Sequence, residues 1–259
     1  SLKVDLMIHV CRKEWLKSKQ TIDKCPDVVC MPLNFRGDTA IHLAVNGGSL
    51  EIVKELANCM RPEDMPIPNS SGNTALHLAV REGRLEIVKE LANRMRPEDM
   101  LIPNSYGDTA LHFAASKDSL ELVKELTNSM RPEDMLIPNS QGDAAIHLAV
   151  RGGSVEILEE LANRMRPEDM LIPNSNGNTA LHLAATGRFG GAILNELANL
   201  LRPEDMVIPN SDGMLPVHLA ALYRSNRMVD ILSSQKVLDK MNSEDIEQLF
   251  LMTIRFNMF

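Results

Sequence analysis

Gly72-Asn73-Thr74-Ala75-Leu76-His77-Leu78-Ala79 is the stretch on which the reading of this chain turns, because it returns. Versions of it stand at Gly37-Asp38-Thr39-Ala40-Ile41-His42-Leu43-Ala44, Gly107-Asp108-Thr109-Ala110-Leu111-His112-Phe113-Ala114 and Gly142-Asp143-Ala144-Ala145-Ile146-His147-Leu148-Ala149. Two more stand at Gly177-Asn178-Thr179-Ala180-Leu181-His182-Leu183-Ala184 and Gly213-Met214-Leu215-Pro216-Val217-His218-Leu219-Ala220. From His42 to His218 the successive histidine separations are 35, 35, 35, 35 and 36 residues. His9, in Leu6-Met7-Ile8-His9-Val10-Cys11, lies 33 residues before His42 and reads as a worn copy, so seven units are expected. Repetition at a fixed period outranks length as a guide to architecture.

Each unit reads as two helices. The Ala/Leu/His segment follows a Thr placed to cap a first short helix. After a Gly-containing corner, Leu50-Glu51-Ile52-Val53-Lys54-Glu55-Leu56-Ala57 carries apolar residues at three-and-four spacing, the stripe of an amphipathic second helix. The phrase recurs at 85–92, 120–127, 155–162 and 193–198. Between units, Ile67-Pro68-Asn69-Ser70-Ser71-Gly72 and its copies place Pro, Asn and Gly as a tight turn requires. Arg-Pro-Glu-Asp-Met, beginning at Arg61, Arg96, Arg131, Arg166 and Arg202, predicts an extra helical turn, since Pro suits the first helical position and acids suit a helix start.

Composition narrows the function. Lys+Arg 27 against Asp+Glu 35 gives a net charge of −8, which argues against nucleic acid as a partner. No uncharged apolar run approaches the roughly 18 residues of a membrane span, and the start lacks a signal-peptide pattern, so the chain is expected to be soluble without direct membrane insertion. The four cysteines, Cys11, Cys25, Cys30 and Cys59, crowd the first quarter rather than forming a disulfide framework, which fits a reducing, cytoplasmic setting. Aromatic residues are only 3% of the chain, so the interior must be built from aliphatic side chains and the 16 Met.

The Gly-x-Thr-x-Leu-His-Leu-Ala pattern resembles the ankyrin repeat, over nearly the whole chain. Ala40, Ala75, Ala110, Ala145 and Ala180 stand where the family usually has Pro, kept here as Pro216. The period of 35 exceeds the family's roughly 33 because of the Arg-Pro-Glu-Asp-Met linkers. The resemblance implies an all-α solenoid of helix-turn-helix units: residues 1–33 a divergent capping unit containing Trp15, 34–222 the repeats, and 223–259 one or two capping helices. The linkers, the 215–222 segment and the tail Ser243-Glu244-Asp245-Ile246-Glu247-Gln248-Leu249-Phe250 also resemble plant ankyrin proteins that carry a C-terminal PGG-type membrane region, the group with the accelerated-cell-death defence regulators. That narrower resemblance implies the cytosolic part of a longer, membrane-anchored protein.

A column of histidines invites a metal, but helices in contact lie about 8–10 Å apart and zinc holds imidazole at about 2 Å. His42, His77, His112, His147, His182 and His218 are therefore read as structural; in the family this imidazole bridges the capping Thr and a neighbouring backbone group. Cys25 and Cys30 read as small half-buried hydrophobes, with redox pairing or metal binding as the alternative; the recurring Glu-Asp pairs read as helix-start residues, and the Met-x-x-x-x-Met pattern as core filling rather than an exposed binding stripe. The glycine-rich Gly187-Arg188-Phe189-Gly190-Gly191 reads as a loosened corner. The common nucleophile, phosphate-loop and metalloprotease signatures are missing, so no enzyme and no cofactor is expected.

Partner-facing positions are those that vary between units. At the turn tips these are Arg36 and Asp38, Asn73, Tyr106 and Asp108, Gln141 and Asp143, and Asn176 and Asn178. At the first-helix ends they are Asn46, Arg81 and Glu82, Ser116 and Lys117, Arg151, Thr186 and Tyr223. The resemblance implies that both sets line a concave groove. Tyr106 is the favoured anchor, and Arg81, Lys117 and Arg151 the expected basic row for acidic segments. The expected function is a non-catalytic scaffold binding a protein or peptide, in plant defence or stress signalling, with regulation of a C-terminal membrane region as the alternative.

Overall fold

The computed structural model describes residues 1–187 and 190–256. They form two compact units, Ser1–Met130 and Arg131–Phe259. The first holds four helix pairs: α1 (Leu2–Cys11) with α2 (Trp15–Lys24), α3 (Ala40–Asn46) with α4 (Leu50–Cys59), α5 (Ala75–Arg81) with α6 (Leu85–Ala92), and α7 (Ala110–Ser116) with α8 (Leu120–Thr127). The second holds three pairs, α9 (Ala145–Gly152) with α10 (Val155–Ala162), α11 (Ala180–Thr186) with α12 (Gly190–Leu200) and α13 (Pro216–Leu222) with α14 (Asn226–Leu232), followed by α15 (Gln235–Leu238) and α16 (Ser243–Arg255). The chain is an all-α repeat solenoid, with no strand among the described residues. Beyond the last pair the tail carries α15 and α16, and Arg188 and Phe189 of the glycine-rich corner lie outside the described residues.

Stacking follows from side-chain size. In the first unit α1 touches α3, α3 touches α5 and α5 touches α7; in the second α9 touches α11 and α11 touches α13. Ala40, Ala44, Ala75, Ala79, Ala110 and Ala114 sit on these contacts at 0–1% exposure, because a methyl group lets helix axes approach closely. The second helices bury Val53 and Leu56, Val88 and Leu91, and Val123 and Leu126 completely, and α10 does the same with Leu158 and Leu161. Truncating such a leucine costs about 2–5 kcal/mol. Met60, Met65, Met95, Met100, Met135, Met165, Met170 and Met206 are all buried, filling the gaps under the linkers.

Each Arg-Pro-Glu-Asp linker forms a 3₁₀ turn, at Pro62–Asp64, Pro97–Leu101, Pro132–Leu136, Pro167–Leu171 and Pro203–Val207. Its charges are used locally: Arg96 Nε donates to Asp99 Oδ2 at 2.8 Å and Arg166 Nη2 to Asp169 Oδ1 at 2.9 Å, a bidentate fork repeated in every copy. The aspartates therefore do more than favour a helix start; they clamp the arginine that opens their own turn. A further 3₁₀ turn, Pro26–Cys30, has no Arg-Pro-Glu-Asp signal in the sequence.

At the corner between paired helices Gly48 and Gly83 adopt left-handed φ, and Lys13 and Asp118 do so with φ of 59° and 55°. A side chain there costs about 1 kcal/mol, because Cβ crowds the following carbonyl. Lys13→Gly is expected to stabilise the first unit by about 0.5–1 kcal/mol, read as a rise in the urea midpoint at unchanged slope. A lowered midpoint would contradict it.

Candidate functional site

The turns between units are built on asparagine. Asn174 Oδ1 accepts from the Asn176 and Asn178 amides at 3.0 and 3.1 Å, while Gly177 N donates to Asn174 O at 2.9 Å and Asn174 N to Asn178 O at 3.0 Å. Asn34, Asn69, Asn104, Asn139 and Asn210 accept in the same way. The turns are tied to their neighbours through one backbone bond each: Ser70 N to Arg36 O (2.9 Å) and Ser105 N to Ser71 O (3.1 Å) in the first unit, Ser175 N to Gln141 O and Ser211 N to Asn176 O (both 3.2 Å) in the second.

A side-chain ladder runs beneath. Asn69 Nδ2 donates to Asp38 Oδ1 (2.8 Å), Asn104 Nδ2 to Asn73 Oδ1 (3.0 Å), Asn174 Nδ2 to Asp143 Oδ1 (2.8 Å) and Asn210 Nδ2 to Asn178 Oδ1 (2.9 Å). Asp38, Asn73 and Asp143 are buried at 3%, 8% and 0% exposure, and Asp108 and Asn178 are half-buried. The structure thus turns Asp38, Asn73 and Asp143 toward the next turn rather than toward solvent. Arg36, Tyr106, Gln141 and Asn176 at the tips are exposed, as are Asn46, Glu82, Ser116, Lys117, Arg151 and Tyr223 at the helix ends, with Arg81 and Thr186 half-exposed.

The histidines sit at the third position of their helices. His77 Nδ1 receives the Thr74 backbone N–H at 3.1 Å and lies 2.8 Å from the Thr74 hydroxyl, which donates to it. With Nδ1 accepting, the proton is on Nε2, which donates to Asp108 O at 3.0 Å. His42 does the same between Thr39 and Asn73 O, and His182 between Thr179 and Met214 O. The imidazole takes the part that Glu plays in a capping box, accepting the backbone N–H of the residue that caps its own helix. Ala144 and Leu215 lack a hydroxyl, and there His147 and His218 accept from the backbone N–H alone, donating to Ile172 O and Asp245 O. His9 departs from the series: it stands in the last turn of α1 and pairs with Glu14 at 2.9 Å. Burial holds His42, His147 and His182 below the ordinary imidazole value and takes His77 down to about 4. No group of three or more metal-ligating side chains occurs among the described residues.

Arg81 Nε donates to Glu82 at 3.1 Å and Arg151 to Asp143, so two members of the expected basic row already hold carboxylates of their own chain. Lys117 has no such partner among the described residues. Five partner-facing candidates do meet in the first unit. Arg36, Asp38, Asn46, Asn73 and Arg81, with Asn69, Ser71 and Leu78, line a pocket of about 250 Å³. A second hollow of about 360 Å³ is lined by Pro26, Asp27, Val29, Cys30, Cys59, Arg61 and Asp64. All four cysteines are free, and burial, aided by the Asp64 carboxylate, pushes the Cys30 thiol up to about 11. Cys30 is protonated and is no nucleophile at neutral pH.

A family profile described as ankyrin repeats matches in three copies, over residues 13–100, 93–170 and 111–200, well over half of the chain. No curated protein matches the sequence. Among solved structures, the chain is similar to the ankyrin repeat domain of Bcl-3, a member of the IkappaB protein family, with a TM-score of 0.73 at 22% identity, covering 89% of this chain and 98% of that one. It is also similar to the ankyrin repeat protein EF0377, with a TM-score of 0.65 at 23% identity, covering 75% of this chain and 96% of that one. At such identities the likeness speaks for the fold and for nothing of the partners.

Proposed function

The chain belongs to the ankyrin-repeat family, and from that premise we propose that it is a non-catalytic scaffold holding a protein or peptide along its turn tips and first-helix ends. Proteins of this family generally serve as interaction scaffolds. One observation supports the choice of face: the recurring asparagines, and the Asp or Asn at position 38 and its copies, are spent on the ladder, while Arg36, Tyr106, Gln141 and Asn176 at the same turns stand in solvent. Tyr106, 70% exposed on a turn whose Asn104 is 7% exposed, is the extreme case, a rigid amphipathic ring on a fixed base. Tyr106→Ala is expected to weaken a partner recovered by pull-down at least about tenfold while shifting the melting temperature by no more than a few degrees. Unchanged affinity would remove Tyr106 from the site.

The cellular setting belongs to the same proposal: cytosolic repeats in plant defence or stress signalling. Four free cysteines and the Ser243–Phe250 segment support it. In the alternative reading the repeats regulate a C-terminal membrane region of the same protein. What favours that reading is α16, where Ile246, Phe250, Leu251 and Ile254 are each more than 40% exposed. No helix among the described residues is itself long and apolar enough to cross a membrane.

A further inference from the structure

The pocket between the turns at 34–38 and 69–73 separates cleanly into a floor and a rim. The floor is saturated. Asp38 accepts on Oδ2 from Asn34 Nδ2 at 3.0 Å and on Oδ1 from Asn69 Nδ2 at 2.8 Å, Asn69 Oδ1 accepts the Ser71 and Asn73 amides, and Leu78 closes the bottom at 2% exposure. These groups shape the hollow and have little left to offer a ligand. The rim is Arg36, Asn46, Ser71 and Arg81, every one a hydrogen-bond donor and two of them cations. Arg36 has no carboxylate partner among the described residues; its guanidinium carbon lies 5.6 Å from the ring centroid of Phe35, which is 90% exposed. A donor-rich, cationic rim calls for an acceptor-rich anion.

Size and charge narrow the occupant. At about 250 Å³ the pocket falls below the roughly 300–1,000 Å³ of small-molecule sites and suits one side chain. Glu82 already binds Arg81, and Asp38 is held in the floor by Asn34 and Asn69, which leaves Arg36 as the rim's one guanidinium without a carboxylate partner among the described residues. That balance welcomes a single negative charge more readily than the −1.5 to −2 of a phosphate group. We propose that this pocket receives the carboxylate of an Asp or Glu side chain from an extended peptide partner, with a large apolar neighbour of that residue resting on Phe35. The inference rests on the groove reading above and gives the partner its chemistry.

The test begins with a random-peptide display selection on the intact chain. Winning peptides are then synthesised and titrated against wild type, Arg36→Glu, Glu82→Gln and Tyr106→Ala, each checked for an unchanged helical spectrum. Winners are expected to share an acid beside a large apolar residue, and replacing that acid with Gln to lose at least about tenfold in affinity. Arg36→Glu should lose as much and be rescued by a peptide carrying Lys in place of the acid. Glu82→Gln, by releasing Arg81, should tighten binding about threefold, which a merely structural Arg81 would not do. Winners without acids, affinities within about twofold in both Arg36→Glu and Glu82→Gln, or a selection that enriches nothing would overturn the proposal. Phosphoserine outbinding Glu would overturn the choice of a monoanion. Peptides that depend on Tyr106 but ignore Arg36 and Glu82 leave the groove standing without this pocket, and peptides indifferent to all three remove both.

Discussion

Acidification from about pH 7 to about pH 4.5 is expected to strip this chain of several kcal/mol of stability, far more than carboxylate titration alone would give in that range. The cause is the column of capping histidines. His42, His77, His147 and His182 each accept a backbone N–H on Nδ1 and donate from Nε2, so a second proton would set two N–H groups against each other, 3.1 Å apart at His77. Burial adds the cost of an enclosed charge, and His77 is held at about 4 against an unfolded 6.5. Between those values the unfolded chain binds the extra proton and the folded chain refuses it. The contribution is therefore complete above about pH 6.5, falls as the pH drops, and is lost by about pH 4, worth roughly 3 kcal/mol for His77 alone. His42, His147 and His182 shift in the same direction and act in the same window. Below it, Asp64, Asp134 and Asp169, held under their ordinary value by the arginines of their turns, surrender their own share as they protonate. Urea midpoints measured at half-unit steps from pH 7.5 to 4.5 test this. The slope should shrink by about one proton in His77→Gln, and a flat wild-type profile would refute the cap as described.

The second large effect comes from two glycines that share a conformation and differ in company. Gly177 and Gly213 both have φ of +72°. A Cβ on Gly177 would collide with Ser211 N and lie 3.0 Å from Asn210 C of the next turn, whereas one on Gly213 meets nothing within 4 Å. Gly213→Ala is expected to cost the left-handed penalty alone, about 1–2 kcal/mol. Gly177→Ala carries that penalty and must also push away the turn whose Ser211 N–H bonds Asn176 O, adding roughly 1–3 kcal/mol of overpacking. Denaturant titration of the two variants side by side checks the difference. Equal losses would mean that the turns are not packed as closely as this.

Much of this architecture was legible because it is periodic: Ala in the first helices, Val and Leu in the second and His at the cap each recur every 35 residues. The Asn ladder was not. Position 38 and its copies read Asp, Asn, Asp, Asp, Asn and Met, and that variation looked like freedom to meet a partner. To the asparagine amide of the following turn, Asp and Asn present the same oxygen in the same place, so the interchange is silent. Met214 breaks the rule where no further turn follows to make use of it. The partners of the basic row are hidden for a related reason: Arg81 holds Glu82 and Arg151 holds Asp143, and one-dimensional spacing does not show that Asp143 lies within reach of a residue eight positions away. Tyr106, by contrast, stands out in sequence and in solvent alike.

The bond from His218 to Asp245 O has a practical corollary. Helix α16 lends that imidazole the carbonyl which, for His42, His77 and His182, a following turn supplies, so the last cap is closed by a stand-in. Copy number thereby becomes an adjustable quantity. A 35-residue block could be duplicated or excised upstream while the same terminal plug is carried along, whereas a chain cut before Ser243 would leave the final imidazole proton facing water.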